Sequence, residues 1–295
     1  GMGYLSRKFG LASDNILDAQ IVLANGTIVY NAKNYPELLW AIRGAGNAGF
    51  GIVTTLTLRI YPIPKIVTNL RYEYDFDQTP LVFSVIKQLG NNIHQNLTLY
   101  MNIRSVPSTS ISGIYLGSAS ELRLHMQEFV KLSKPKSVTY GENDLYSILV
   151  GGGDTPPPGF MKAKTFFFDS RGLSYEGIKY LMRFVKKISK CKLQSETLLI
   201  SGGRVNEIRR NDTAYVHRGF LYHTGMFLHD YEYKNFDMCY QEMEKFSQYF
   251  QPHYANYENY QNLIDRQLNN WQCRYYGENF ERLVEIKRKY DPYNI

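Results

Sequence analysis

Several stretches of this 295-residue chain carry residue types that do chemistry, and in each the spacing decides which chemistry is open. Gly44-Ala-Gly46-Asn-Ala-Gly49 spells the glycine fingerprint of a dinucleotide-binding turn. Such a turn follows a strand and opens a helix, so that the helix amides and dipole face a pyrophosphate. Here Leu38, Leu39, Trp40 and Ile42, with Pro36 in the first turn, predict a helix before the glycines, and residues 50–60 predict a strand after them. The order is reversed, so a nicotinamide dinucleotide is not expected. Glycines in a loop before a strand instead let the backbone approach a ligand or another segment closely. A second glycine cluster, Gly151-Gly-Gly153, is followed by Asp-Thr and three prolines rather than by Lys and Ser or Thr, and it reads as a rim loop of a second domain. His217, His223 and His229 fall six apart and would share one face of a straight strand. That spacing exceeds the usual separation of metal-ligand pairs, and a turn between the histidines is expected; no metal is expected there. The three cysteines, Cys191, Cys239 and Cys273, are odd in number and lack a CxxC pair, which predicts buried or free thiols rather than a disulfide framework or a zinc site.

The elements that must hold these residues are legible from periodicity. With 44% hydrophobic and 21% charged residues the chain has the composition of a folded globular protein, and no apolar run reaches the length of a membrane span. The opening residues form neither a charged nor an apolar leader region, so no secretory signal is read in them. The net charge of +7 is spread over helix faces. Lys179, Arg183, Lys186, Lys187 and Lys190 lie opposite a stripe of Ile178, Leu181, Met182, Val185 and Ile188, which is a solvated face; nucleic-acid binding is not expected. Asn25-Gly26 between two β-rich runs predicts a hairpin over residues 16–30. Thr79-Pro80 starts a helix after a strand from Thr68 to Phe76, and Ser118 with Glu121 forms a capping box before another. Strands are expected at 97–105, 111–117, 163–168, 196–201 and 213–228, and helices at 175–190, 236–250 and 279–290. The class is therefore α+β, with a large antiparallel sheet covered on one face by helices and a break near residues 62–66.

Three stretches in order carry a family resemblance. The opening Gly1-Met-Gly-Tyr-Leu-Ser-Arg-Lys-Phe-Gly10 with Leu11-Ala-Ser-Asp-Asn15, the strand Gly49–Arg59, and the closing Tyr260-Gln-Asn262 through Trp271 to Lys289-Tyr-Asp-Pro292 resemble the berberine-bridge-enzyme-like FAD-linked oxidoreductases of the vanillyl-alcohol-oxidase superfamily. Gly113-Ile-Tyr-Leu-Gly117 and Asp212-Thr-Ala-Tyr-Val-His-Arg218 add to it. The resemblance implies a tail of an FAD-binding module over 1–64, a substrate-binding antiparallel-sheet domain over 65–250, and a segment over 251–295 that returns to the FAD module. It implies FAD as cofactor, contacted by Gly3, Leu5, Ser6, Gly51, Ile52 and Asn262, with Tyr260 as the base and His217 and Arg218 at the substrate pocket. Relatives attach FAD through a His and often a Cys, and neither anchor can be placed in this chain. The expected activity is oxidation of an alcohol, sugar or amine carbon by hydride transfer to flavin, on a small-molecule substrate. The expected form is truncated, lacking the first part of the FAD-binding domain, with that part or another copy of the chain as partner. The alternative is a flavin-free relative that serves as a binding or scaffold module. An isolated tyrosine has a pKa near 10, so Tyr260 needs a partner to act as base at neutral pH.

Overall fold

A computed structural model describes residues 1–46, 49–104, 107–150, 159–191, 193–198 and 202–295, and the triple-glycine loop expected at the rim lies outside them. The chain divides into two compact units. The first comprises Gly1–Pro62, Gly203–Arg218 and Glu258–Ile295; the second comprises Ile63–Gly202 and Gly219–Tyr257. The sequence places 203–218 inside the sheet domain and begins the return at 251, whereas the fold gathers 203–218 into the first unit and begins the return at Glu258.

The first unit opens with a single helical turn, α1 (Ser6–Phe9), followed by β1 (Ile16–Val22), β2 (Ile28–Val29), α2 (Pro36–Ile42) and β3 (Ile52–Leu58). Gly26, at φ 81°, makes the hairpin turn between β1 and β2, and the Leu23 amide donates to the Thr27 carbonyl at 2.9 Å. β3 pairs antiparallel to the other edge of β1, giving the order β2-β1-β3.

The second unit then runs through β4 (Val67–Tyr74), α3 (Thr79–Leu89), β5 (Leu97–Arg104), β6 (Ser108–Tyr115), α4 (Ala119–Ser133), β7 (Ser137–Asn143), α5 (Leu145–Val150), β8 (Phe160–Phe168), α6 (Tyr175–Lys187) and β9 (Leu193–Leu198). After α7 (Arg204–Glu207) in the first unit, β10 (Tyr222–Asp230) and α8 (Tyr233–Tyr254) complete the second, and α9 (Trp271–Tyr276) and α10 (Phe280–Tyr290) close the first. The seven strands of the second unit stand in the order β7-β4-β6-β5-β9-β10-β8, antiparallel at every described pairing.

Strand alternation points Leu70, Tyr72, Leu99, Met101, Phe166 and Met226 to one face of that sheet, where they pack with Val82 and Ile86 of α3, Leu122 and Phe129 of α4, Leu181 and Val185 of α6, and Phe246 and Phe250 of α8. The expected capping box holds. Ser118 Oγ accepts from the Glu121 amide at 3.4 Å, and the Glu121 carboxylate accepts from the Ser118 amide at 3.0 Å, so α4 starts there.

Two expectations are corrected. The strand expected over 213–228 begins at Tyr222, because Thr213, Ala214, Tyr215, Val216, His217 and Arg218 form a buried irregular segment of the first unit with its own side-chain partners. The thiols expected at Cys191 and Cys239 are a disulfide, which closes a separation of 48 residues between the end of α6 and α8. Sequence spacing carried no sign of the pair because helix packing alone brings the two Cα atoms to 5.9 Å. Cys273 is free and exposed.

Candidate functional site

A cavity of about 470 Å³ in the first unit is lined by Leu11, Ile16, Ile42, Gly44, Gly46, Leu56, Leu58, Tyr215, Tyr260 and Asn262, with Gly1, Ala12 and Ser13 at its border. The glycine loop between α2 and β3 shapes it. Gly44 has φ 120°, and a Cβ there would lie 2.6 Å from the Tyr215 amide nitrogen; Gly46 has φ 69°, and a Cβ would lie 2.8 Å from the Asn262 side-chain oxygen. The loop thus uses its glycines to receive two other segments at close range.

The segment it receives is a turn, closed by the Leu263 amide donating to the Tyr260 carbonyl at 3.0 Å. Tyr260 and Asn262 line the cavity, and Asn262 Nδ2 donates to the Tyr260 hydroxyl at 2.8 Å. Burial pushes the Tyr260 phenol above its ordinary value, and the Asn262 N–H, which favours the phenolate, opposes that. Gln261, between them, turns away into the protein: its Nε2 donates to the Gly44 carbonyl at 2.6 Å, and its Oε1 faces His217 Nε2 at 3.0 Å.

His217 and Arg218 are the two residues that the resemblance puts at a substrate pocket. Neither lines this cavity. His217 is buried, with Nδ1 at 2.5 Å from Glu258, whose other oxygen accepts from Arg210 Nη1 at 2.9 Å. Arg210 also makes a two-pronged contact with Glu278 at 2.7 and 2.9 Å, which raises the guanidinium's pKa and holds the Glu278 carboxyl below its usual range. Arg218 is paired with Asp14 at 2.6 and 3.0 Å, donates to Thr213 and the Val205 carbonyl, and stacks its guanidinium 4.8 Å over the Tyr215 ring. Both members of that pair are almost wholly buried. An apolar environment makes such a pair costly to break from one side.

Of the residues expected to contact a flavin, only Asn262 lies at the cavity. The Ser6 hydroxyl accepts from the Gly3 amide at 2.8 Å, Leu5 precedes α1, Gly51 sits against the Val22 carbonyl of β1, and Ile52 is 72% exposed on β3. The residues that sequence reading missed are Asp14, Arg210, Glu258 and Gln261. Gln261 lay inside the Tyr-Gln-Asn stretch and could have been weighed, but no local pattern links Asp14 to Arg218, which stand 204 apart.

A family profile described as berberine and berberine like matches residues 259–295. The chain is 30% identical over 310 residues to an uncharacterized FAD-linked oxidoreductase, YvdP, of Bacillus subtilis strain 168, covering all of this chain and 67% of that protein. It is 28% identical to a tetrahydroberberine oxidase of Berberis wilsoniae, covering all of this chain and 63% of the relative. Among solved structures, wild-type BBE-like 1 of Physcomitrella patens superimposes with a TM-score of 0.89 at 26% identity, covering all of this chain and 66% of that one. A chitooligosaccharide oxidase shares the fold at TM-score 0.86 and 24% identity, with 67% of its chain covered. The chain therefore spans about two-thirds or somewhat less of the length of the proteins it matches.

Proposed function

The chain belongs to the berberine-bridge-enzyme-like FAD-linked oxidoreductases, and from that membership we propose that the first unit supplies one wall of a flavin site at which Tyr260 takes a proton from an alcohol, sugar or amine substrate. The observation that carries the reading is the meeting of Tyr260 and Asn262 with the apolar Ile42, Leu56 and Leu58 around one glycine-edged cavity. A flat, largely apolar ring system suits such a wall, with a phenol and an amide at its edge. When bound, the flavin supplies the acceptor for the hydride that leaves the substrate carbon. The chain's own part is the proton. Tyr260 Oη receives it, and the Asn262 N–H steadies the charge left on the phenolate before that transfer. Because burial raises the phenol, the base form gains population as pH rises, so the rate carried by Tyr260 rises toward alkaline pH.

His217 is the single histidine in the first unit, and Glu258 and Gln261 engage both of its ring nitrogens. We take this chain's own hold on the cofactor to be noncovalent, with the anchor placed neither at His217 nor at the exposed Cys273. β3 adds a second element to the proposal: Ile52 is 72%, Leu56 46% and Leu58 47% exposed along an edge strand. We take the cover of this strand to be polypeptide corresponding to the part of the relatives' length that this chain does not span. Titrating FAD with the chain tests the wall: quenching of flavin fluorescence that weakens in Leu58→Asp is expected, and no quenching by the wild type contradicts the proposal. Acid precipitation should release all flavin, and flavin retained in the pellet would contradict noncovalent binding.

A further inference from the structure

We propose that Gln261 and His217 are positioning residues for Tyr260, acting through one hydrogen-bonded chain that runs from Arg210 through Glu258 and His217 to Gln261 and ends on the Gly44 carbonyl. The proposal deepens the function above and rests on its reading of Tyr260 as the base. Tyr260, Gln261 and Asn262 share a tight turn, so fixing the outward or inward direction of one side chain fixes the others. Tyr260 and Asn262 reach the cavity while Gln261, 5% exposed, faces the interior.

The polarity of the chain follows from its ends. Gly44 presents a carbonyl, an acceptor, so the Gln261 group 2.6 Å from it is the amide NH₂, and Gln261 Oε1 is left as an acceptor toward His217. His217 Nε2 therefore donates to Oε1. Its Nδ1 lies 2.5 Å from the Glu258 carboxyl group that Arg210 also engages. The amide of Gln261 thus has one orientation. An amide so oriented resists rotation of the turn, which an apolar side chain of equal length would not. Gly46 closes the arrangement from the other side, since a Cβ there would lie 3.1 Å from Gln261 Cγ.

The test reads Tyr260 itself. In protein labelled with carbon-13 at the tyrosine ring, the Tyr260 resonance is assigned by its loss in Tyr260→Phe and followed against pH. Gln261→Met keeps the length of the side chain and removes both hydrogen bonds. The phenol should then gain solvent, and its titration midpoint should fall toward the ordinary tyrosine value of about 10. Glu258→Gln, which loosens the hold on His217 without touching the turn, should move it in the same direction by less. If Gln261→Met fails to fold, the Glu258→Gln shift decides the matter. A Tyr260 midpoint unchanged from wild type in the folded variant overturns the proposal. The readout needs no flavin, so a wild-type chain that shows no flavin binding would count against the function reading while the titration still judges the positioning chain.

Discussion

The second unit covers the apolar face of its seven-stranded sheet with α3, α4, α6 and α8 drawn from its own sequence, whereas the first unit leaves Ile52, Leu56 and Leu58 of β3 in solvent. The first unit compensates with polar burial: Asp14 with Arg218, and Arg210 with Glu258 and His217, tie segments that are far apart in the sequence. Apolar burial stabilises without specifying direction, while ion pairs and oriented amides fix geometry at a higher desolvation cost. The unit that holds Tyr260 thus adds directed contacts to an apolar core of its own around Ile21, Leu38, Trp40 and Ile286.

The largest expected effects break the two units separately. Asp14→Asn leaves the buried Arg218 guanidinium without its charge partner and should cost about 3–5 kcal/mol, read as lost hydrogen-exchange protection in the first unit. Phe166→Ala, at a fully buried ring packed edge-on against Phe246 and Phe250, should cost a similar 3–5 kcal/mol in the second. Equal loss of protection in both units from either substitution would dissolve the comparison. Next is the disulfide: Cys191→Ser with Cys239→Ser should cost about 2–4 kcal/mol in the second unit, measured by denaturant titration with reductant as control.

Acid should act more weakly on the first unit. Lys289 and Tyr290 hold the Glu37 carboxyl down at about 2, below its model-peptide range. A depressed carboxyl stabilises the fold above the unfolded-state pKa, and that contribution disappears as pH falls from about 4.5 toward 2. Because the Glu37 side chain remains partly exposed, solvent screening limits the effect to about 1 kcal/mol or less, and Glu37→Gln should remove this part of the acid dependence. Smallest is Leu56→Thr on the exposed strand, expected to change stability by no more than about 0.5 kcal/mol while lowering binding of an apolar dye.

The sheet and helices of the second unit were largely legible, since alternation in β4 and β5, the Ser118 cap and the stripe of α6 are local patterns that agree with the packing. So was the reversed order around Gly44, which set aside a dinucleotide fingerprint. α5 and α9 escaped notice because six residues are too few to show a helical period, and β7 because its side chains are exposed on both faces and show no alternation. The positions of His217 and Arg218 escaped for a different reason: their partners, Glu258 and Asp14, lie 41 and 204 residues away, and only the fold brings them together. The disulfide was hidden likewise. The Tyr-Gln-Asn stretch marked the cavity edge, yet the inward role of Gln261 depends on the Gly44 carbonyl and could not be read from the stretch itself.

The role of Tyr260 as the base is tested most directly by the rate of flavin reduction by substrate in flavin-loaded protein. Tyr260→Phe should lower that rate about 10²–10⁴-fold and abolish its rise with pH. A variant that reduces flavin at the wild-type rate with the wild-type pH profile would contradict the assignment.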